Sequence, residues 1–133
     1  MNLEEIAKKM CTKGKGILAA DESTGTMDKR LKSVNVECTE VNRLTFRQTL
    51  FSSEAMKSYI GGVILFDETI RQKTTLGISI PELILKNNSL PGIKVDKGTK
   101  SLAGSTEETV TEGLDGLRDR LKEYYELGAR FTK

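Results

Sequence analysis

Residues 60–69 read IGGVILFDET. The stretch from Gly62 to Phe66 is apolar throughout, strand-sized, and runs straight into Asp67 and Glu68. Unbroken apolarity marks a strand buried on both faces, as in a parallel sheet. Two other stretches read as strands that run into charge. GILAA (residues 16–20) is bounded by glycine and Asp21, and Gly92 to Val95 is followed by Asp96. A fourth strand is expected to start at Ala129 and run to Lys133.

Helical patterns fill the gaps. Leu3, Ile6, Ala7 and Met10 recur at helical spacing, with Asn2 as a cap and Lys13-Gly14 as a stop, so a helix is expected over 2–13. Thr26 to Ser33 and Thr39 to Phe51 read as two more, the second capped by Thr39. Pro81 to Lys86 reads as a short helix entered through Ser79. Leu114, Leu117, Leu121 and Tyr124 form an apolar stripe for a helix over about 113–127, ended by Gly128. Residues 97–112 read as a surface loop, in which Ser105 and Glu108 could cap a turn of helix. Buried strands alternating with helices give an α/β fold with a parallel sheet and right-handed crossovers. No repeat, linker or low-complexity tract divides the chain, so residues 1–133 are expected to lie in one domain.

Composition narrows the function. Twenty-one basic and 19 acidic residues leave a net charge of +2, and aromatic residues are 5% of the chain, which argues against nucleic acid as a partner. No apolar run approaches the roughly 18 residues of a membrane span. The charged start MNLEEIAKKM is not a secretory signal. Cys11 and Cys38 lack metal-like spacing and are expected to be free thiols of a cytoplasmic protein. With no histidine, chemistry must fall to carboxylates, lysines and hydroxyls.

Charge gathers where the strands end: Asp21-Glu22, Asp67-Glu68, Lys94 with Asp96, and Lys133. In parallel α/β folds these carboxyl ends face the ligand site. Solvated loop residues would give the same pattern. Lys94 is sharper, because it sits inside a strand between Ile93 and Val95. It shares a face with Asp96, opposite Ile93 and Val95. Either the two form a mutual ion pair or they serve a sugar-phosphate pocket. Ser23, Thr24, Gly25 and Thr26 precede a helix bearing Lys29 and Arg30, which could bind an anion or simply cap the helix. GKG at 14–16 is not a nucleotide-phosphate loop.

In order, GKGILAADEST (14–24), IGGVILFDET (60–69), GIKVDKG (92–98), then GLDGL (113–117) with GARFTK (128–133) resemble the class I fructose-1,6-bisphosphate aldolases along the whole chain. SVNVECTEVNR (33–43) and QKTTLGISI (72–80) are individual to this sequence. The resemblance implies a (β/α)8 TIM barrel, here its first half, strands 1–4 with their helices. It implies glycolytic cleavage of fructose 1,6-bisphosphate to dihydroxyacetone phosphate and glyceraldehyde 3-phosphate through a lysine Schiff base. It also implies no metal or other cofactor, a sugar-phosphate substrate and commonly a homotetramer. Residue by residue, it makes Asp21 the group that orients the substrate hydroxyl near the scissile bond. Thr26, where many members have serine, and Arg30 are expected to hold a phosphate. Arg43, from the T-E-x-N-R segment, is a further phosphate candidate, and Lys94 of IKVD a substrate contact. Lys133 matches the lysine of the family's F-A-K-W-R run, with Thr132 in place of the alanine, and is expected to stabilise charge around the carbinolamine.

The chain stops before that Trp-Arg pair and before the family's Schiff-base lysine, its acid–base carboxylates and the later phosphate-binding residues. Residues 1–133 alone are therefore expected to be inactive, and molten or aggregating in isolation. The alternative expectation is a non-catalytic remnant or complementation half of a split enzyme.

Overall fold

The computed structural model describes residues 1–133. Four strands, β1 (Gly16–Ala20), β2 (Ile60–Leu65), β3 (Leu90–Ile93) and β6 (Phe131–Thr132), form one parallel sheet in the order β1-β2-β3-β6. A separate antiparallel hairpin pairs β4 (Thr99–Ser101) with β5 (Thr109–Thr111). The helices are α1 (Leu3–Met10), α2 (Thr24–Lys32), α3 (Glu40–Phe51), α4 (Glu54–Tyr59), α5 (Asp67–Arg71), α6 (Ile80–Lys86) and α7 (Leu117–Leu127). None is long and apolar enough to cross a membrane.

The helix ends follow local chemistry. Asn2 and Glu5 form a reciprocal capping box on α1. Ser23, Thr39 and Ser79 accept backbone N–H bonds at the starts of α2, α3 and α6. Gly128, in the left-handed region at φ 115°, ends α7.

Residues alternate across the sheet. Ala20, Val63, Leu65 and Ile93 turn to one face and pack against Phe51, Met56, Ile70, Ile80, Ile84 and Tyr124 from the helices. That is the core. The parallel pairing Ala19–Ile64–Gly92–Phe131 puts these four on the opposite face. There the Phe131 ring lies over Gly62 and Gly92: a Cβ on Gly92 would come within 2.4 Å of it. Ile17, on the same face, is half exposed.

Several boundaries differ from expectation. β3 starts two residues early, at Leu90, and its regular part ends before Lys94. The ladder nevertheless continues: Lys94 N donates to Leu65 O, Val95 N to Lys133 O and Lys133 N to Ile93 O. Pro91 lacks a donor, yet its carbonyl accepts from Arg130 N at 2.8 Å. α4 and α5 escape the helical pattern because six and five residues carry too little periodicity. The 97–112 segment folds into the hairpin, and Ser105 accepts from Glu107 N and Glu108 N in its turn without starting a helix. α7 begins at Leu117, after Gly113 and Gly116 adopt φ of 141° and 63°, so Leu114 lies outside the stripe and is exposed.

A tight point joins α1 to the sheet. A Cβ on Gly61 would stand 2.9 Å from the Met10 carbonyl oxygen and 3.3 Å from that of Lys9, both main-chain atoms. Gly25, inside α2, has open space around it and no positive φ. Gly61→Ala is therefore expected to destabilise the chain by about 1–3 kcal/mol. Gly25→Ala should stabilise it by about 0.5–1 kcal/mol. Urea unfolding of the two variants beside the parent, each in the chain extended to the length of its relatives, checks both signs.

Candidate functional site

Continuing the register one step past the strands places Asp21, Phe66, Lys94 and Lys133 in one layer, on the face away from the core helices. All four lie at the carboxyl ends of the strands. Lys133 Nζ donates to Asp21 Oδ2 at 2.6 Å, joining groups 112 residues apart. Asp21 is nearly buried, whereas the Lys133 side chain is half exposed. The bond to Asp21 holds the Lys133 ammonium above its ordinary pKa, with partial desolvation opposing.

Lys94 Nζ lies 2.5 Å from Asp96 Oδ2 and donates to Asp96 O at 3.0 Å. Gly98 N donates to the same carboxylate at 3.0 Å. The Lys94 bond holds Asp96 below the usual carboxylate range, with Lys133 adding a weaker pull. Of the two readings left open on sequence grounds, the mutual ion pair is formed. Lys94 and Asp96 also line a cleft of about 870 Å³, together with Ser23, Arg71, Arg120 and Tyr124 among others.

The remaining candidates fall around this layer unequally. Ser23 Oγ and Thr26 Oγ1 are 3.1 Å apart at the start of α2. Arg30, exposed on the same helix, reaches back to Glu22. Arg43 turns elsewhere. Its Nη2 and Nε bond Glu68 at 2.6 and 2.9 Å, Nη1 bonds the Cys38 carbonyl at 2.8 Å, and it does not line the cleft. A phosphate at Arg43 would have to compete with Glu68. The Arg43 bonds hold Glu68 below the usual carboxylate range against a partial burial penalty.

Three arginines of this region went unread in the sequence, and Tyr124 was read only as part of an apolar stripe. Arg47 is fully buried behind Glu22. Arg71 bridges Asp67 and Glu123 at 2.9 and 2.5 Å. Tyr124 donates to Asp67 at 2.8 Å, and Arg120 donates to the carbonyls of Val95 and Gly113. Burial pushes Asp67 up, but the Arg71 and Tyr124 bonds outweigh it and the group titrates low. The spacing of Arg43 and Arg47, one helical turn apart, could have signalled a shared polar face. No group of three or more Cys, Asp and Glu side chains is gathered to hold a metal ion.

The depressed carboxylates fix the sign of an acid effect. A folded-state pKa below the unfolded value adds stability above the unfolded pKa, which is lost as pH falls through the folded one. For Glu68 the loss sets in as pH falls below about 4.5, and for Asp96 below about 3.8. Glu68→Gln keeps the shape but removes the charge, and should cost about 2 kcal/mol at neutral pH, the scale of charged hydrogen bonds. The difference from the parent should shrink as the pH is lowered from 7 to about 3, since below about 4.5 the parent's unfolded state takes up a proton that the folded carboxylate resists. Urea midpoints of the chain extended to the length of its relatives, measured at both pH values, test this.

The chain is similar to known proteins throughout. The family model for class I fructose-bisphosphate aldolase matches residues 2–133. A probable fructose-bisphosphate aldolase class 1 of Xylella fastidiosa is 54% identical over 131 residues, covering 98% of this chain and 39% of that protein. The cytosolic fructose-bisphosphate aldolase 5 of Arabidopsis thaliana is 55% identical, covering 98% and 37%. The solved fructose-bisphosphate aldolase of Plasmodium falciparum, in complex with TRAP and a small-molecule inhibitor, superposes with a TM-score of 0.93 at 47% identity, over 96% of this chain and 37% of that one. The chain thus spans about two fifths of the length of these relatives. Parallel strands ending in one charged layer, motifs in family order and a family model matching almost every residue agree: the chain belongs to the class I fructose-bisphosphate aldolases.

Proposed function

We propose that residues 1–133 supply the first half of a (β/α)8 barrel, and with it one wall of a pocket that cleaves fructose 1,6-bisphosphate to dihydroxyacetone phosphate and glyceraldehyde 3-phosphate. The observation that carries the reading is the Lys133–Asp21 bond, a cation and a carboxylate delivered by the two outer strands to one layer. The half-barrel is supported by strands in strict sequential order with the core helices on one face. The other face, with half-exposed Ile17 and the Phe131 ring over two glycines, has the character of a barrel interior awaiting its remaining strands.

In this reading a lysine outside residues 1–133 forms the Schiff base with the ketose. Lys133 places an ammonium beside the oxygen that develops charge, and its raised pKa keeps it protonated. Asp21 accepts from the substrate hydroxyl next to the bond that breaks, at a distance Lys133 helps to set. Lys94 contacts the substrate from β3's end, already oriented by Asp96. Thr26 and Arg30 hold a phosphate at the start of α2, where the free backbone N–H groups favour an anion. Arg43 acts on the phosphate only after releasing Glu68, and is the weakest member of the set.

The test is fructose 1,6-bisphosphate turnover. Residues 1–133 alone should give none. In the chain extended to the length of its relatives, Lys133→Met should lower kcat by about 10²–10³-fold, the scale for removing one electrostatic stabiliser. Arg30→Ala should act mainly on KM, since a phosphate held equally in ground and transition states contributes uniform binding. An unchanged kcat in Lys133→Met would remove Lys133 from the mechanism.

A further inference from the structure

Two arginines one turn apart on α3 reach the loops that follow β1 and β2. Arg43 grips Glu68, as described. Arg47 is fully buried, and its Nη2 donates to the main-chain carbonyl of Glu22 at 2.6 Å. The same Nη2 lies 3.7 Å from the Glu22 carboxylate, and Nη1 lies 4.0 Å from that of Glu68. The Phe66 ring sits 5.9 Å from the guanidinium carbon. Arg47 therefore touches Glu22, directly after Asp21, and Phe66 and Glu68 at the end of β2, yet bonds neither Asp21 nor Lys133.

The arrangement is costly. Arg47 Nε and Nη1 and one Glu22 carboxylate oxygen are buried without a hydrogen-bond partner. Burial lowers the basicity of Arg47, and Glu22 and Glu68 only partly restore it. An apolar side chain of similar volume would fill such a slot at no such cost. What it could not do is hold a backbone carbonyl. Glu22 follows Asp21 directly, so its carbonyl fixes the turn from which the Asp21 carboxylate projects.

We propose that Arg47 is a positioning residue for the Asp21–Lys133 pair, acting through the main chain of Glu22 and tying the β1 turn to the β2 turn. It is distinct from the residues expected to touch substrate. Without the guanidinium the Glu22 carbonyl loses its anchor, the turn relaxes and Asp21 swings away from Lys133. Arg47 is not itself a member of the apolar cluster formed by Phe51, Met56 and the β-strands. The inference rests on the reading of Asp21 and Lys133 as a working pair, but it is tested without turnover, so the two can fail separately.

The experiment is competitive amine labelling, with acetic anhydride, of the chain extended to the length of its relatives, mapped by mass spectrometry. Lys94, paired to Asp96 just past the end of β3, serves as the internal control. In Arg47→Met the labelling of Lys133 should rise several-fold over the parent while that of Lys94 stays constant. Arg47→Lys, which keeps the buried charge but lacks the fork that reaches the Glu22 carbonyl, should show the same selective rise to a smaller degree. Unchanged Lys133 labelling in both variants would overturn the proposal. So would Lys133 and Lys94 rising together in both, since Arg47 would then serve stability alone.

Discussion

The register of three parallel strand pairs is the constraint on which the site depends. β2 lies between β1 and β3, and β3 carries β6 on its far side. Because side chains alternate, a slip of one residue in any pair would send its strand-end side chain into the core and an apolar one out. The apolar face of Val63, Leu65, Ile93 and Ala20 prevents that slip, since it must meet the helices. Fixing the core face fixes the other face too, and so brings Asp21 and Lys133 together from opposite edges of the sheet. Packing and chemistry are thus two consequences of one register.

Charge in this chain is organised in layers of support. Lys133 with Asp21 and Lys94 with Asp96 face outward from the strand ends. Behind them, Arg43, Arg47, Glu22 and Glu68 lock the turns to α3. Beside them, Arg71, Asp67, Glu123 and Tyr124 join α5 to α7. The back layers are expensive to bury, and they hold main-chain segments whose position an apolar core would leave free. Phe131 has the corresponding role on the apolar side, where the missing side chains of Gly62 and Gly92 leave it room.

The sequence told unevenly. The parallel sheet was legible because buried strands advertise themselves as unbroken apolar runs, and GGVILF is one such run. Thr39, Ser79 and Gly128 marked their helix ends because capping is local chemistry. Strand limits were less legible. Leu90-Pro91 joins β3 through pairing to β2, which no local signal carries. The hairpin was missed since its two three-residue strands are fully exposed and lack any apolar pattern. Asp21, Lys94 and Lys133 were legible as charges at strand ends, and the sheet register brings them into one layer. Arg47 was not, because inside RLTFRQ it looks like an ordinary helix-surface arginine, and only tertiary packing buries it. Arg43's commitment to Glu68 was equally invisible, since it joins residues 25 apart.

The most direct test of this account is borohydride trapping with fructose 1,6-bisphosphate on the chain extended to the length of its relatives, with the modified lysine mapped by mass spectrometry. The account predicts a single adduct on a lysine outside residues 1–133, formed more slowly when Lys133 is replaced by methionine. An adduct on Lys94 or Lys133 would contradict it, for the residues assigned here to orient and stabilise the substrate would then be the nucleophile itself.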